Sequence, residues 1–118
     1  MKTRAMLLAG CLLLAVGWTG ERDLLSRAPE TAARNPFEND GRVARAGAKL
    51  YAHTCAPCHG LRREGHGRVP ALDGAAIREA PPGRLFWILR NGSLRTGMPS
   101  FASLPEPERW QIVAFLRQ

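Results

Sequence analysis

Apolar positions along the chain form one unbroken run and then three periodic segments. Residues 5–20 carry no charge; Lys2 and Arg4 precede the run and Glu21 ends it. Farther on, Val43, Gly47, Leu50 and Tyr51 recur at i, i+4, i+7 and i+8, one face of a helix expected over about Asp40–His53. Asn39 or Asp40 is placed to cap its first amides. Gly47 on that face costs about 1 kcal/mol against alanine, which is tolerable where a second helix crosses closely. Leu85, Phe86, Ile88 and Leu89 make an apolar stripe that begins near Pro82, a good first-turn residue, and stops at Asn91-Gly92. The third segment opens on Ser103-Leu104-Pro105-Glu106, which has the S-x-x-E form of a capping box, and carries Trp110, Ile112, Val113, Phe115 and Leu116. No segment alternates over a strand's length. The pattern predicts an all-α chain with long loops at about 60–74 and 93–102. Loops of that length in so small a chain make sense if both wrap a cofactor.

The first run reads as a leader. Sixteen uncharged residues after a basic start fall short of the ~20 needed to span a membrane at ease and suit a secretory signal. Cleavage after Gly17 or near Gly20 fits the pattern. Leu8-Ala9-Gly10-Cys11 resembles a lipobox, so attachment through residues 5–20 themselves or through a lipidated Cys11 is the alternative to a released protein. Without residues 1–20 the chain has 98 residues, one small domain. Residues 21–39, interrupted by Pro29, Pro36 and several arginines, read as a tether, with room for a short helical stretch at Leu24-Leu25 and with Asn35-Pro36-Phe37 placed to pack on the domain, and residues 40–118 read as the domain.

Of 118 residues 45% are hydrophobic and 23% charged, which excludes a disordered tail, a collagen and a multispan membrane protein. The net charge is +7; two of the basic residues lie in the leader and all ten acids after it, so the rest carries +5. The arginines are scattered, with only Arg62-Arg63 adjacent, and make no nucleic-acid patch. The excess positive charge suits an anionic cofactor or an acidic partner.

Cys55-Ala56-Pro57-Cys58-His59 is C-x-x-C-H, the attachment pattern of haem c. Two thiols at this spacing reach the two vinyl groups of one haem, and the next residue brings an imidazole to the iron. An exported chain reaches the compartment where such attachment takes place. A thioredoxin-like redox pair would need a βαβ context that is not visible. A zinc site would need a fourth ligand, which His53 and His66 could supply only awkwardly. An iron held by His59 on one side calls for a second axial ligand. Met98, in Gly97-Met98-Pro99, lies 39 residues after His59 and is the only methionine after residue 6. Its flanking residues suit a loop better than a helical core, and thioether ligation raises the reduction potential. His66, between Gly65 and Gly67, is the rival ligand.

These pieces together resemble a class I (monohaem) bacterial cytochrome c from about Arg42 to Leu116. Ala46-Gly47 to Tyr51 resembles its first helix, Cys55 to Gly60 its haem motif, and Gly65-x-Gly67-x-x-Pro70-x-Leu72 the loop that follows. Asn91-Gly92 to Met98-Pro99 resembles its methionine loop, and Trp110 to Leu116 its final helix. The resemblance implies the cytochrome c fold, about three main helices with long loops around one covalent haem. It implies that Pro70 offers its carbonyl to the His59 imidazole N–H, and that Gly47 marks the crossing of first and last helices near Trp110 or Phe115. It makes Leu72, Leu85, Leu89 and Phe101 candidate haem walls, Arg68 or Arg84 candidate propionate partners, and Trp87 a candidate for that role through its indole N–H.

The function expected is periplasmic electron transfer without enzymatic chemistry. The donor would be a quinol-oxidising complex or a dehydrogenase, and the acceptor an oxidase or reductase. An anchored subunit of a larger complex and a haem sensor with an open iron are the two alternatives.

Overall fold

The computed structural model describes residues 22–118. Six helices follow in order: α1 (Arg22–Arg27), α2 (Gly41–Thr54), α3 (Ala56–His59), α4 (Ala75–Arg78), α5 (Pro82–Asn91) and α6 (Glu106–Leu116). Among the described residues there is no strand, only isolated bridges at His66–Val69 and Ser93–Met98. The fold is all-α, with α2, α5 and α6 as its main helices. The leader and Cys11 lie outside the described residues. No described helix is long and apolar enough to cross a membrane.

Helix α2 starts where Asp40 accepts the Arg42 N–H at 2.9 Å. The Arg42 side chain and N–H together hold the Asp40 carboxyl below its ordinary pKa. Its face of Ala44, Gly47 and Tyr51 is buried against α6. Tyr51, Ile112 and Val113 are the most deeply buried large side chains, and the Tyr51 and Phe115 rings meet at 5.2 Å. Leu85, Ile88 and Leu89 bury the inner face of α5, and Phe86 stacks on Trp110 at 3.9 Å. Fully burying one such side chain contributes about 1.5–3 kcal/mol, so the α2–α5–α6 junction carries most of the stability.

The start of α6 differs from the expected capping box. Pro105 is the residue before the helix, no side chain caps it, and Ser103 lies in the preceding turn. A proline disfavours helical backbone in the residue before it. Leu104, before Pro105, lies outside the helix, which begins at Glu106 although Pro107 follows that residue. The Pro105 carbonyl accepts the Glu108 and Arg109 N–H groups, and Pro107 in the first turn has no N–H to leave unpaired.

Residues 28–38, expected as part of a tether, lie along α5 and α6. Ala28 and Asn35 are buried. Asn35 Nδ2 donates to the Trp110 carbonyl at 2.9 Å, and Asn35 Oδ1 accepts the Phe37 N–H. A Cβ on Gly83 would lie 2.3 Å from Thr31 Oγ1 and 2.7 Å from the Ala33 carbonyl oxygen, so the arm passes directly over the first turn of α5. Glu30 pairs with Arg84 at 3.5 Å, and Glu38 pairs with Arg117.

Candidate haem site

The C-x-x-C-H segment is shaped by a break between two helices. Cys55 ends α2, its N–H donating to the Tyr51 carbonyl at 2.8 Å, and its own carbonyl accepts the Cys58 and His59 N–H groups. The one-turn helix α3, opened by Ala56-Pro57, separates the two thiols. Cys55 is buried and Cys58 is exposed, and neither is in a disulfide. Burial, with a smaller contribution from Cys58, pushes the Cys55 thiol up to about 11, so it stays protonated at neutral pH.

His59 Nδ1 lies 2.8 Å from the Pro70 carbonyl oxygen. A carbonyl only accepts, so this partner assigns the proton to Nδ1 and leaves the Nε2 lone pair free. The chain between them is folded to bring Pro70 there. Gly65 donates to the His59 carbonyl at 2.7 Å, His66 and Val69 pair through their backbones, and Leu72 donates to the Arg63 carbonyl at 2.7 Å. Gly65 has φ +73, and a Cβ on it would sit 2.6–2.8 Å from Ala71 N, Val69 O and Pro70 C. Only glycine lets the Pro70 backbone pass so close. Tyr51 OH donates to the Gly60 carbonyl at 2.7 Å and ties the same loop to α2.

Met98 sits at the end of a tight loop. Ser93 and Met98 exchange backbone hydrogen bonds of 2.9 and 3.1 Å, Gly97 has φ +81, and Phe101 donates to the Leu89 carbonyl at 2.8 Å. Met98, Leu72 and Phe101 are half-buried and pack on the cluster that contains Cys55, Leu85 and Leu89. The two cysteine-to-methionine halves of the expected site thus share one apolar surface. His66 is exposed with its backbone paired to Val69, and His53 is exposed on the last turn of α2. Arg84 is engaged by Glu30, Arg68 is exposed, and Trp87 is half-buried. Among the described residues, no three His, Cys, Asp or Glu side chains are grouped to hold a metal ion.

Two residues of the site's framework have no signal in the sequence. Arg63, at φ +62, donates from Nη1 to the Leu116 carbonyl and lies 4.9 Å over the Phe115 ring. Arg109 donates from Nη1 to the carbonyls of Phe101, Ala102 and Leu104 and lies 5.0 Å over the Phe86 ring. An arginine in a sequence reads as solvated charge until the fold brings carbonyls to it.

The donor set fits a c-type haem: an imidazole whose Nδ1 is engaged by Pro70 and whose Nε2 has no such partner, two thiols one helical turn apart outside any disulfide, and a loop methionine on the shared apolar wall. Residues 42–116 match the family model described as cytochrome c oxidase, cbb3-type, subunit III, and the chain belongs to that family of c-type cytochromes. Membership of this family implies that the chain binds haem. It is 33% identical over 104 residues to the quinohemoprotein alcohol dehydrogenase ADH-IIG of Pseudomonas putida, a match covering 86% of this chain and 14% of that one. The crystal structure of cytochrome CL from the marine methylotroph Methylophaga aminisulfidivorans superposes with a TM-score of 0.59 at 28% identity, covering 70% of this chain and 58% of that one. The chain therefore spans less than two thirds of either relative's length.

Proposed function

We propose that the chain carries single electrons on one covalently bound haem c. Cys55 and Cys58 would form the thioethers, His59 and Met98 would be the axial ligands, and Leu72 would wall the group. When bound, the haem supplies a one-electron iron couple. The protein's own residues do the positioning. Pro70 holds the Nδ1 proton of His59 and so aims Nε2 and raises its basicity. The packing of Met98, Leu72 and Phe101 on the core keeps water away, which with the thioether favours a high potential. With both axial positions assigned, no substrate has access to iron, so the role is a carrier's rather than an enzyme's.

The observation that carries this reading is the 2.8 Å contact of His59 Nδ1 with Pro70 O directly after C-x-x-C. The uncharged run after Lys2 and Arg4 supports export to the periplasm, either released or held by residues 5–20 or Cys11. The similarity to a haem-containing dehydrogenase favours a dehydrogenase as electron donor, and the family's oxidase description favours an oxidase as acceptor.

A visible spectrum tests the site. Low-spin ferric and ferrous forms, a methionine–iron charge-transfer band and indifference to carbon monoxide are expected. A high-spin or carbon-monoxide-binding protein would instead establish an open iron and the sensor alternative. Co-purification of the exported protein with a dehydrogenase or oxidase would place it as a subunit rather than a free carrier.

A further inference from the structure

One cation is buried where none of the described carboxylates meets it. Arg109, in the first turn of α6, is 7% exposed. Burying a guanidinium is costly unless its hydrogen bonds are made. Here Nη1 donates toward three carbonyls, Phe101 at 3.4 Å, Ala102 at 3.0 Å and Leu104 at 2.8 Å, and the Phe86 ring covers the cation's face, while the buried Nε has no hydrogen-bond partner. All three carbonyls belong to the stretch that follows Met98-Pro99-Ser100. The other ties of this stretch run to the end of α5: Phe101 N–H to the Leu89 carbonyl, and Ser100 Oγ to the Arg90 carbonyl at 2.6 Å. Arg109 supplies its side-chain tie to α6.

We propose that Arg109 is the positioning residue of the Met98 loop: by gathering the carbonyls of Phe101, Ala102 and Leu104 it fixes the loop's C-terminal stem and limits how readily Met98 leaves its ligand position. This rests on the reading of Met98 as an axial ligand. Without the guanidinium, three partly buried carbonyls lose a charged donor, and outward movement of the loop toward water restores their hydrogen bonds. Arg63 provides the contrast. Its side chain donates to the Leu116 carbonyl and its backbone carbonyl accepts the Leu72 N–H, so it ties the other loop.

The test uses the full haem-loaded protein. Added imidazole competes with Met98 for ferric iron, so its apparent affinity reports how often Met98 is displaced. The methionine–iron band is recorded first on the unaltered protein; its absence there removes Met98 from iron and overturns this inference together with the functional reading. With the band present, Arg109→Met is expected to raise the apparent imidazole affinity about tenfold or more, equivalent to about 1.4 kcal/mol. Arg109→Lys, which keeps a cation but not the planar fork, should fall between. Arg63→Met should stay within about twofold, even with an equal loss of melting temperature. Both Arg109 variants within twofold of the unaltered protein, or an equal rise in Arg63→Met, would overturn the assignment while leaving the haem reading intact. Where Arg109→Met fails to load haem, Arg109→Lys alone decides by the same limit.

Discussion

Gly47 of α2 lies so close to Gln111 of α6 that a Cβ on it would sit 1.9 Å from the Gln111 carbonyl oxygen and 2.5 Å from the carbonyl carbon. The obstacle is backbone, which cannot swing aside as a side chain can. Alanine is the better helix former by about 1 kcal/mol, so propensity alone would make Gly47→Ala stabilising. The crossing predicts the opposite sign. Overpacking of this kind costs about 1–3 kcal/mol, and a melting temperature lower by several degrees is the expected result of thermal unfolding. An unchanged or raised melting temperature would mean that the helices do not cross there so closely.

Much of this was legible from spacing. Gly47 and Tyr51 mark the inner face of α2, where Ala44 rather than Val43 completes it, one of the two expected residues, Asp40, is its cap, and Pro82 to Asn91 spans α5. The C-x-x-C-H motif stands out because two thiols and an imidazole fall within five consecutive residues, whereas the contact of His59 with Pro70 needs the folded loop. The start of α6 departs from the S-x-x-E pattern because Ser103 and Leu104 lie in a turn and Pro105 takes the position before the helix. Helices α3 and α4 are four residues each, too short for any period to show. The packing of Asn35-Pro36-Phe37 on the domain is legible in the sequence, but how the arm is fastened is not, for another reason. Asn35 is fastened by hydrogen bonds to Trp110 O and Phe37 N, which leave no mark in a hydrophobic pattern. Arg63 and Arg109 were hidden in the same way, because their partners are backbone carbonyls more than a turn of chain away.

The arm's attachment makes a prediction of its own. Asn35→Ala removes a buried amide whose Nδ2 and Oδ1 are both hydrogen-bonded. The Trp110 carbonyl and the Phe37 N–H each lose a partner, and such a loss costs about 1–3 kcal/mol when the groups stay buried. Faster proteolysis between α1 and α2 is expected, with the haem spectrum unchanged. Equal proteolysis in variant and parent would show that the arm is held by other contacts.

The two cysteines make unequal demands. Replacing either with serine would remove one of the two proposed thioethers and leave the other, so acetone–acid extraction should strip the haem only from the double replacement. Full retention of haem in the double replacement would refute covalent attachment at these positions. Cys55 is buried in the core cluster and Cys58 is exposed. Cys55→Ser also places a hydroxyl among apolar neighbours, and so should lower the melting temperature more than Cys58→Ser.

Met98→Ala tests the second ligand. Loss of the thioether leaves the haem attached by its cysteines, removes the methionine–iron band and lets carbon monoxide bind the ferrous form. The reduction potential should fall, because a soft sulfur ligand favours ferrous iron. A potential and spectrum equal to those of the parent would take Met98 off the iron and bring His66 forward as the ligand.

Tyr51 gives a dependence on pH with a definite sign. Its hydroxyl, on a residue only 1% exposed, donates to the Gly60 carbonyl, and burial pushes its pKa up to about 12. The Cys55 thiol adds to that shift, a contribution that thioether formation would remove, while Arg63 opposes it. An unfolded tyrosine titrates near 10. Between that value and about 12 the folded protein therefore holds a proton that the unfolded chain has released. Stability from this group is complete below pH ~10 and is lost as pH rises toward about 12. Denaturant titrations at successive pH values should show that decline in the parent. Tyr51→Phe should be less stable at neutral pH, having lost the bond to Gly60, but should lack the tyrosine's share of the alkaline decline. Parallel pH profiles for the two proteins would show that Tyr51 keeps an ordinary pKa and that the haem loop is not tied down through its hydroxyl.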